Sequence, residues 1–207
     1  MAAKSEYKKI MTPAFRVSFP HLAEPMPGPD GGIAKFAVKM LFPKSEKDVP
    51  EKLRNLPGSA TIAEIKKLCA DVATAYWKDG LPKTLKKPFR DGDTETEYAE
   101  DKGMLVASAR TTKKPGIING ANREMTTKEE IEERFYAGCW ARATIAVGAT
   151  ETGGNRCVHF VLNNLQKLKD DAKFGNRKSA KEEFETVAGF EDSSAGEAER
   201  DFSANDF

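Results

Sequence analysis

Apolar and polar positions alternate from Thr12 to Phe19, with Phe15, Val17 and Phe19 on one side and Arg16 and Ser18 on the other, the period of a β-strand. Ile33–Phe42 repeats the design: Phe36, Val38, Met40 and Phe42 form an apolar face opposite Lys35, Ala37 and Lys39. Gly103–Arg110 predicts a third strand. Trp140–Ala149 and Arg156–Leu162 flank a Glu-Thr-Gly-Gly turn and predict a hairpin. Helical spacing replaces alternation after Thr61, where Thr61 and Glu64 form a capping box. Ile62, Ile65, Leu68, Cys69, Val72 and Tyr76 then recur, and Gly80 and Pro82 end the helix near Asp79. A short helix is expected over Thr127–Phe135, capped by Thr126 or Thr127 with acids in its first turn. Residues 1–11 read as loosely ordered. The stretch Pro20–Gly32, with four prolines and three glycines, reads as a long loop.

The order is strand, strand, long helix, strand, short helix, strand, strand. Five strands with a helix between the third and fourth fit a mainly β, α+β architecture, an OB-like barrel with an inserted helix. The pattern alone leaves other small α+β arrangements open. The expected organisation is a flexible segment 1–11, one domain over 12–184 and a disordered acidic tail over 185–207.

Charge sharpens this division. Nine acidic residues against Lys181 and Arg200 give residues 179–207 a net charge of −7, which leaves +8 for residues 1–178. A basic body joined to an acidic tail points to a polyanionic partner and a segment that competes with it. The tail holds Phe190, Phe202 and Phe207 among Ser, Ala, Gly and acids, too little apolar surface to fold alone. No apolar run approaches a membrane span, and the first residues lack the apolar stretch of a signal peptide. With only Cys69, Cys139 and Cys157, the expected setting is a reducing cytoplasm.

On the hairpin, Trp140, Arg142 and Thr144 share one face. A solvated face of that kind stacks a base and neutralises a phosphate, whereas the competing reading packs Trp140 in the core. The hairpin also carries a resemblance. Ala137–Arg142, Gly154–Arg156, Leu162–Lys167 and Gly175–Phe184 follow, in order, the motifs of a family of single-stranded-DNA-binding proteins of tailed bacteriophages. Ser18–Pro25, Phe89–Asp93 and Lys113–Ile118 add further matches, so the resemblance spans most of residues 12–184. It implies an OB-like fold, sequence-independent binding of single-stranded DNA in replication or recombination, and a homodimer. The Asp206-Phe207 end resembles acidic termini with which such proteins recruit replication partners. An RNA-binding or protein-interaction module on the same barrel is the alternative.

Face and charge select Arg16, Lys35, Lys39, Arg110, Lys113, Lys114, Trp140 and Arg142 as the DNA-binding groove, extended by Lys87, Phe89 and Arg90. Phe202, Asp206 and Phe207 are the candidate partner-binding tail. Asn163, Asn164 and Lys167 match the family motif, although Asn-Asn at a strand exit also serves a turn. Catalytic signals are sparse. His21 and His159 lack a triad signature, and no phosphate-binding glycine motif occurs. Cys139, Cys157 and His159 lack the paired Cys-x-x-Cys of a zinc knuckle, and the acids from Asp91 to Glu97 lack the sixth-position glycine of a calcium loop. No cofactor, metal or enzymatic activity is expected, and a metal-dependent nuclease ranks last.

Overall fold

The computed structural model describes residues 8–28 and 31–175. The described residues up to Phe174 belong to one compact unit. Its described residues form eight strands: β1 (Lys8–Met11), β2 (Phe15–Met26), β3 (Lys35–Pro43), β4 (Phe89–Asp91), β5 (Met104–Thr111), β6 (Gly116–Ile118), β7 (Trp140–Thr152) and β8 (Asn155–Lys169). Two helices, α1 (Ile62–Tyr76) and α2 (Lys128–Arg134), fall between β3 and β4 and between β6 and β7.

Strand pairing runs β7-β2-β3-β5-β8, and β8 returns to β7, so five strands close into a ring. All ring pairs are antiparallel except β5–β8. This is the OB-like barrel expected from the sequence, with α2 between its third and fourth strands and α1 inserted earlier. β1, β4 and β6 add to it from outside, on β7, β5 and β8 respectively. The alternating apolar sets fill the interior: Val17, Val38, Met40, Ala109, Ile145, Val147, Phe160 and Leu162 are all buried. Each large aliphatic or aromatic side chain so buried contributes about 1.5–3 kcal/mol.

Both helices start as the sequence predicts. The Thr61 hydroxyl accepts from the Glu64 amide at 3.2 Å while the Glu64 carboxylate accepts from the Thr61 amide at 2.7 Å. The Thr127 hydroxyl caps α2 through the Glu130 amide. Ile65, Cys69 and Ala73 are the buried stripe of α1, and Ile131 anchors α2 in the core. No helix among the described residues is long and apolar enough to cross a membrane.

Three local expectations change. Lys8–Met11, within the stretch expected to be loose, pairs with β7 from Lys8↔Val147 to Met11↔Thr144. The short β6, for which the alternation predicts no strand, pairs parallel with β8 from Gly116↔Asn164 to Ile118↔Gln166. The proline-rich stretch after Phe19 continues as strand to Met26, with register shifts between Ser18 and His21 and between His21 and Met26. Prolines fit here because β7 pairs with β2 only at Phe15 and Arg16, and bulges release ladder amides.

Candidate nucleic-acid interface

In the antiparallel β3–β5 pair, residues directly opposite share a face. Ala37↔Arg110 and Lys39↔Ser108 therefore carry the basic set of both strands outward. β4 brings Arg90 opposite Val106, and β2 brings His21 opposite Ala37. Two clefts lie on this face. The first, about 860 Å³, is lined by Phe19, His21, Met26, Lys39, Arg90, Tyr98, Asp101, Ser108 and Arg110, among others. The second, about 710 Å³, adds Lys35, Thr111, Thr112, Thr150, Cys157 and His159. Both share Arg90, Ser108 and Arg110, so the two arginines stand where the clefts meet. The face is the one on which OB folds bind oligonucleotides.

The structure thus brings Lys35, Lys39, Arg90 and Arg110 together. Lys35, Arg90 and Arg110 are exposed, whereas Lys39 is only 8% exposed and its ammonium lies 2.6 Å from the fully buried Asp101 carboxylate. The ammonium pairs with Oδ1, and among the described residues Asp101 Oδ2 has no partner. Gly92 allows the Asp91–Asp101 segment to close over this spot, because a Cβ there would stand 1.9 Å from the Asp101 carbonyl oxygen. The same segment is tied to β3 by Lys44, which reaches Asp91 at 2.5 Å and Asp93 at 2.6 Å. The Lys44 ammonium holds both carboxyls below the usual carboxylate range, so these acids serve a structural ion cluster.

Aromatic groups come from residues the sequence reading passed over. Phe19, expected on the apolar side of its strand, is 45% exposed, and Tyr98 is 52% exposed. Their rings meet edge to face at 5.1 Å. Register explains Phe19. Four residues from Ser18 to His21 oppose three from Lys39 to Ala37, and at this bulge Phe19 takes φ 43°, a strained value for a bulky residue. The Ser18–Pro20 step, with a proline after an aromatic, was the one available signal.

Trp140 and Phe89 are placed differently. Trp140 is 2% exposed, packed with Ala14, Leu53 and Leu168, and its indole N–H donates to Asp171 at 2.6 Å. The expectation of a solvated ring is therefore corrected in favour of the core reading. Phe89 packs edge to face on Phe42 and Phe160, at 6.1 and 5.3 Å, and is half-buried. Arg16 is also committed inside the fold. It donates to the Gly138 and Ala172 carbonyls at 2.7 and 2.6 Å, and its guanidinium lies 4.4 Å from the Phe174 ring centroid. Arg142 donates to Gln166 and to the Pro57 carbonyl, in a separate hollow with Asn164 and Thr144. Lys87 is exposed on the loop before β4, and Lys113 and Lys114 are exposed on the turn after β5. The Lys114 ammonium reaches the Thr126 carbonyl at 3.3 Å. Phe202, Asp206 and Phe207 lie outside the described residues.

Among the described residues, no three His, Cys, Asp or Glu side chains are grouped to hold a metal ion. Burial raises the Cys139 and Cys69 thiols to about 11 and about 12, values of inert core cysteines. His159, half-buried in the second cleft, is held below its ordinary value of 6.5, first by burial and then by the Lys35 charge. The folded state thus resists a proton that the unfolded chain accepts. Stability should fall as pH drops below about 6.5 towards the lowered folded value. Thermal melting at pH 7.5 and 5.5 checks this: His159→Gln should shrink the difference between the two midpoints.

A profile described as "Enterobacter phage Enc34, ssDNA-binding protein" matches residues 8–197. The single-stranded-DNA-binding protein from bacteriophage Enc34, solved in complex with ssDNA, superposes with a TM-score of 0.65 at 28% identity, covering 81% of this chain and 89% of that one. A C-terminally truncated form of it gives 0.63 at 29% identity, over 80% and 88% of the two chains. The fold also matches gp2.5, a single-stranded-DNA-binding protein encoded by bacteriophage T7, with a TM-score of 0.50 at 14% identity over 95% and 98%. No curated protein matches the chain. A profile match over nearly the whole sequence, joined to a closed five-strand barrel with a basic, aromatic outer face, places the chain in the Enterobacter phage Enc34 ssDNA-binding protein family.

Proposed function

We propose that the protein binds single-stranded DNA along the outer face of β3 and β5 during phage DNA replication or recombination, in the cytoplasm of the infected cell. The observation that carries this reading is the meeting of two clefts at Arg90 and Arg110 beside the exposed rings of Phe19 and Tyr98. Arginines and lysines track phosphates while the rings stack on whichever base arrives, so most of the affinity is indifferent to sequence. Lys35 lies further along the second cleft, and Lys87, Lys113 and Lys114 would extend the path from the loops beyond. The role is binding without a catalytic step or cofactor.

The acidic tail completes the proposal. With −7 over residues 179–207 against +8 over residues 1–178, it competes with DNA for the basic face. Tethering gives it a high effective concentration without strong intrinsic affinity. DNA displaces it, and Phe202, Asp206 and Phe207 then recruit replication or recombination proteins.

The test compares ssDNA, dsDNA and ssRNA of equal length at one salt concentration, followed by a salt titration. Single-stranded DNA should bind tightest, with a log–log slope of roughly −0.7 per phosphate neutralised, and Arg110→Gln should make the slope shallower by about 0.7. A salt-independent affinity, or equal binding of all three, overturns the reading. Removing residues 189–207 should tighten ssDNA binding at low salt. An unchanged affinity would reject competition by the tail alone.

A further inference from the structure

We propose that Asp101 and Lys39, at the floor of the cleft beside Tyr98, form a base-reading subsite that takes guanine. The inference rests on the single-stranded-DNA reading of that cleft and adds a preference to it.

Asp101 is the anomaly. It is fully buried, it lines the groove of a protein that binds a polyanion, and its Oδ2 lacks any partner. A buried carboxylate without hydrogen bonds is costly, and a negative charge at this place repels phosphate. Lys39 pairs with its Oδ1 at 2.6 Å, which leaves Oδ2 as the open acceptor. A ligand that donates to both oxygens would remove the cost.

Lys39 shows where that ligand sits. Its ammonium lies 4.2 Å from the Tyr98 ring centroid and 5.2 Å from that of Phe19, while it contacts Asp101. It therefore meets an aromatic face and an acceptor at once, the two contacts that a stacked base with an N–H edge would make. A base sliding onto Tyr98 takes this place. The flexible stem of Lys39 lets the ammonium swing to a backbone phosphate, which restores its charge partner. Both Asp101 oxygens then face the edge of the base. Guanine alone presents two adjacent donors there, N1–H and the 2-amino group, for a carboxylate to accept together. Adenine and cytosine offer one amine, and thymine places its single N–H between two carbonyls that repel the carboxylate. Asp101 is in this account a specificity-determining residue for a groove otherwise indifferent to sequence.

The experiment is equilibrium competition on the full chain, in which a labelled oligo-dT is displaced by three unlabelled oligomers. One is all dT, one carries spaced dG, and one carries deoxyinosine, which lacks the 2-amino group, at the same positions. The dG oligomer should bind at least about fivefold tighter than dT, and deoxyinosine should lose most of the gain. Asp101→Asn should abolish the preference, so that the dG and dT oligomers displace the probe equally. Should that variant fail to fold, Tyr98→Leu, at an exposed ring, is the second variant and should also flatten the preference. If dG and dT bind equally tightly, or the preference survives in the variants, the guanine subsite is wrong and the DNA groove stands. If no oligomer binds, the DNA reading falls with it.

Discussion

Trp140→Ala should lower stability by about 3–5 kcal/mol, the cost of emptying a large buried aromatic site. That is a large part of the 5–15 kcal/mol typical of a whole domain, so the variant should melt far below the parent protein. The ring is enclosed by Ala14, Leu53 and Leu168, and the partly buried Val49 and Leu56 close over it. Truncation also removes the indole donor of Asp171, which lies 3.9 Å from the Arg16 guanidinium. Urea denaturation measures the loss. Trp140 lines neither cleft, so the folded fraction should bind ssDNA as before. In a Trp77→Phe background the remaining fluorescence should not respond to DNA. A loss of affinity without a loss of stability would return Trp140 to the binding surface.

The opposite pair of effects is expected at Phe19 and Tyr98. Each alanine substitution should weaken ssDNA binding by about 1–3 kcal/mol, the range for a stacked base. The two losses should not add, because the rings touch at 5.1 Å and share partners. Stability should change little at Tyr98, which is half exposed. At Phe19 the backbone adds a second readout. Its φ of 43° costs a residue with a Cβ about 1–3 kcal/mol, and glycine adopts that value without strain. Phe19→Gly should therefore bind ssDNA more weakly yet melt no lower than Phe19→Ala. Binding isotherms read beside melting curves decide the matter: unchanged affinity in both single variants would remove these rings from the interface.

Much of the barrel was legible because its interior is written in local period. The alternation in β3 and β5 sets which residues face inward, and a one-residue slip would expose the whole apolar set. Thr61 with Glu64 starts α1 for reasons contained within four residues. The Gly153-Gly154 turn marks the hairpin, since both glycines take positive φ, at 55° and 79°. The Lys35, Lys39 and Arg110 part of the interface followed from the same rule, since the residues between apolar ones must point outward.

Period could not say which outward faces stay in water. On β7 the face of Trp140 is covered by a segment about ninety residues earlier in the chain, through Val49, Leu53 and Leu56, whose spacing carries no regular period. Arg16 looked free by alternation, but Gly138 and Ala172 bring their carbonyls to it from the turn before β7 and the segment after β8. Phe19 leaves the core through a register shift fixed by its pairing with β3, a long-range property invisible from β2 alone. Tyr98 and Asp101 enter the groove because Gly92 admits a close backbone approach and Lys44 clamps the loop. By itself, then, the sequence determined the elements, their inward faces, the charge split and the motif order, all consequences of neighbours along the chain. The tertiary structure alone decided which aromatics meet solvent and which cations remain free, because burial depends on the segments that distant parts of the chain lay across each face.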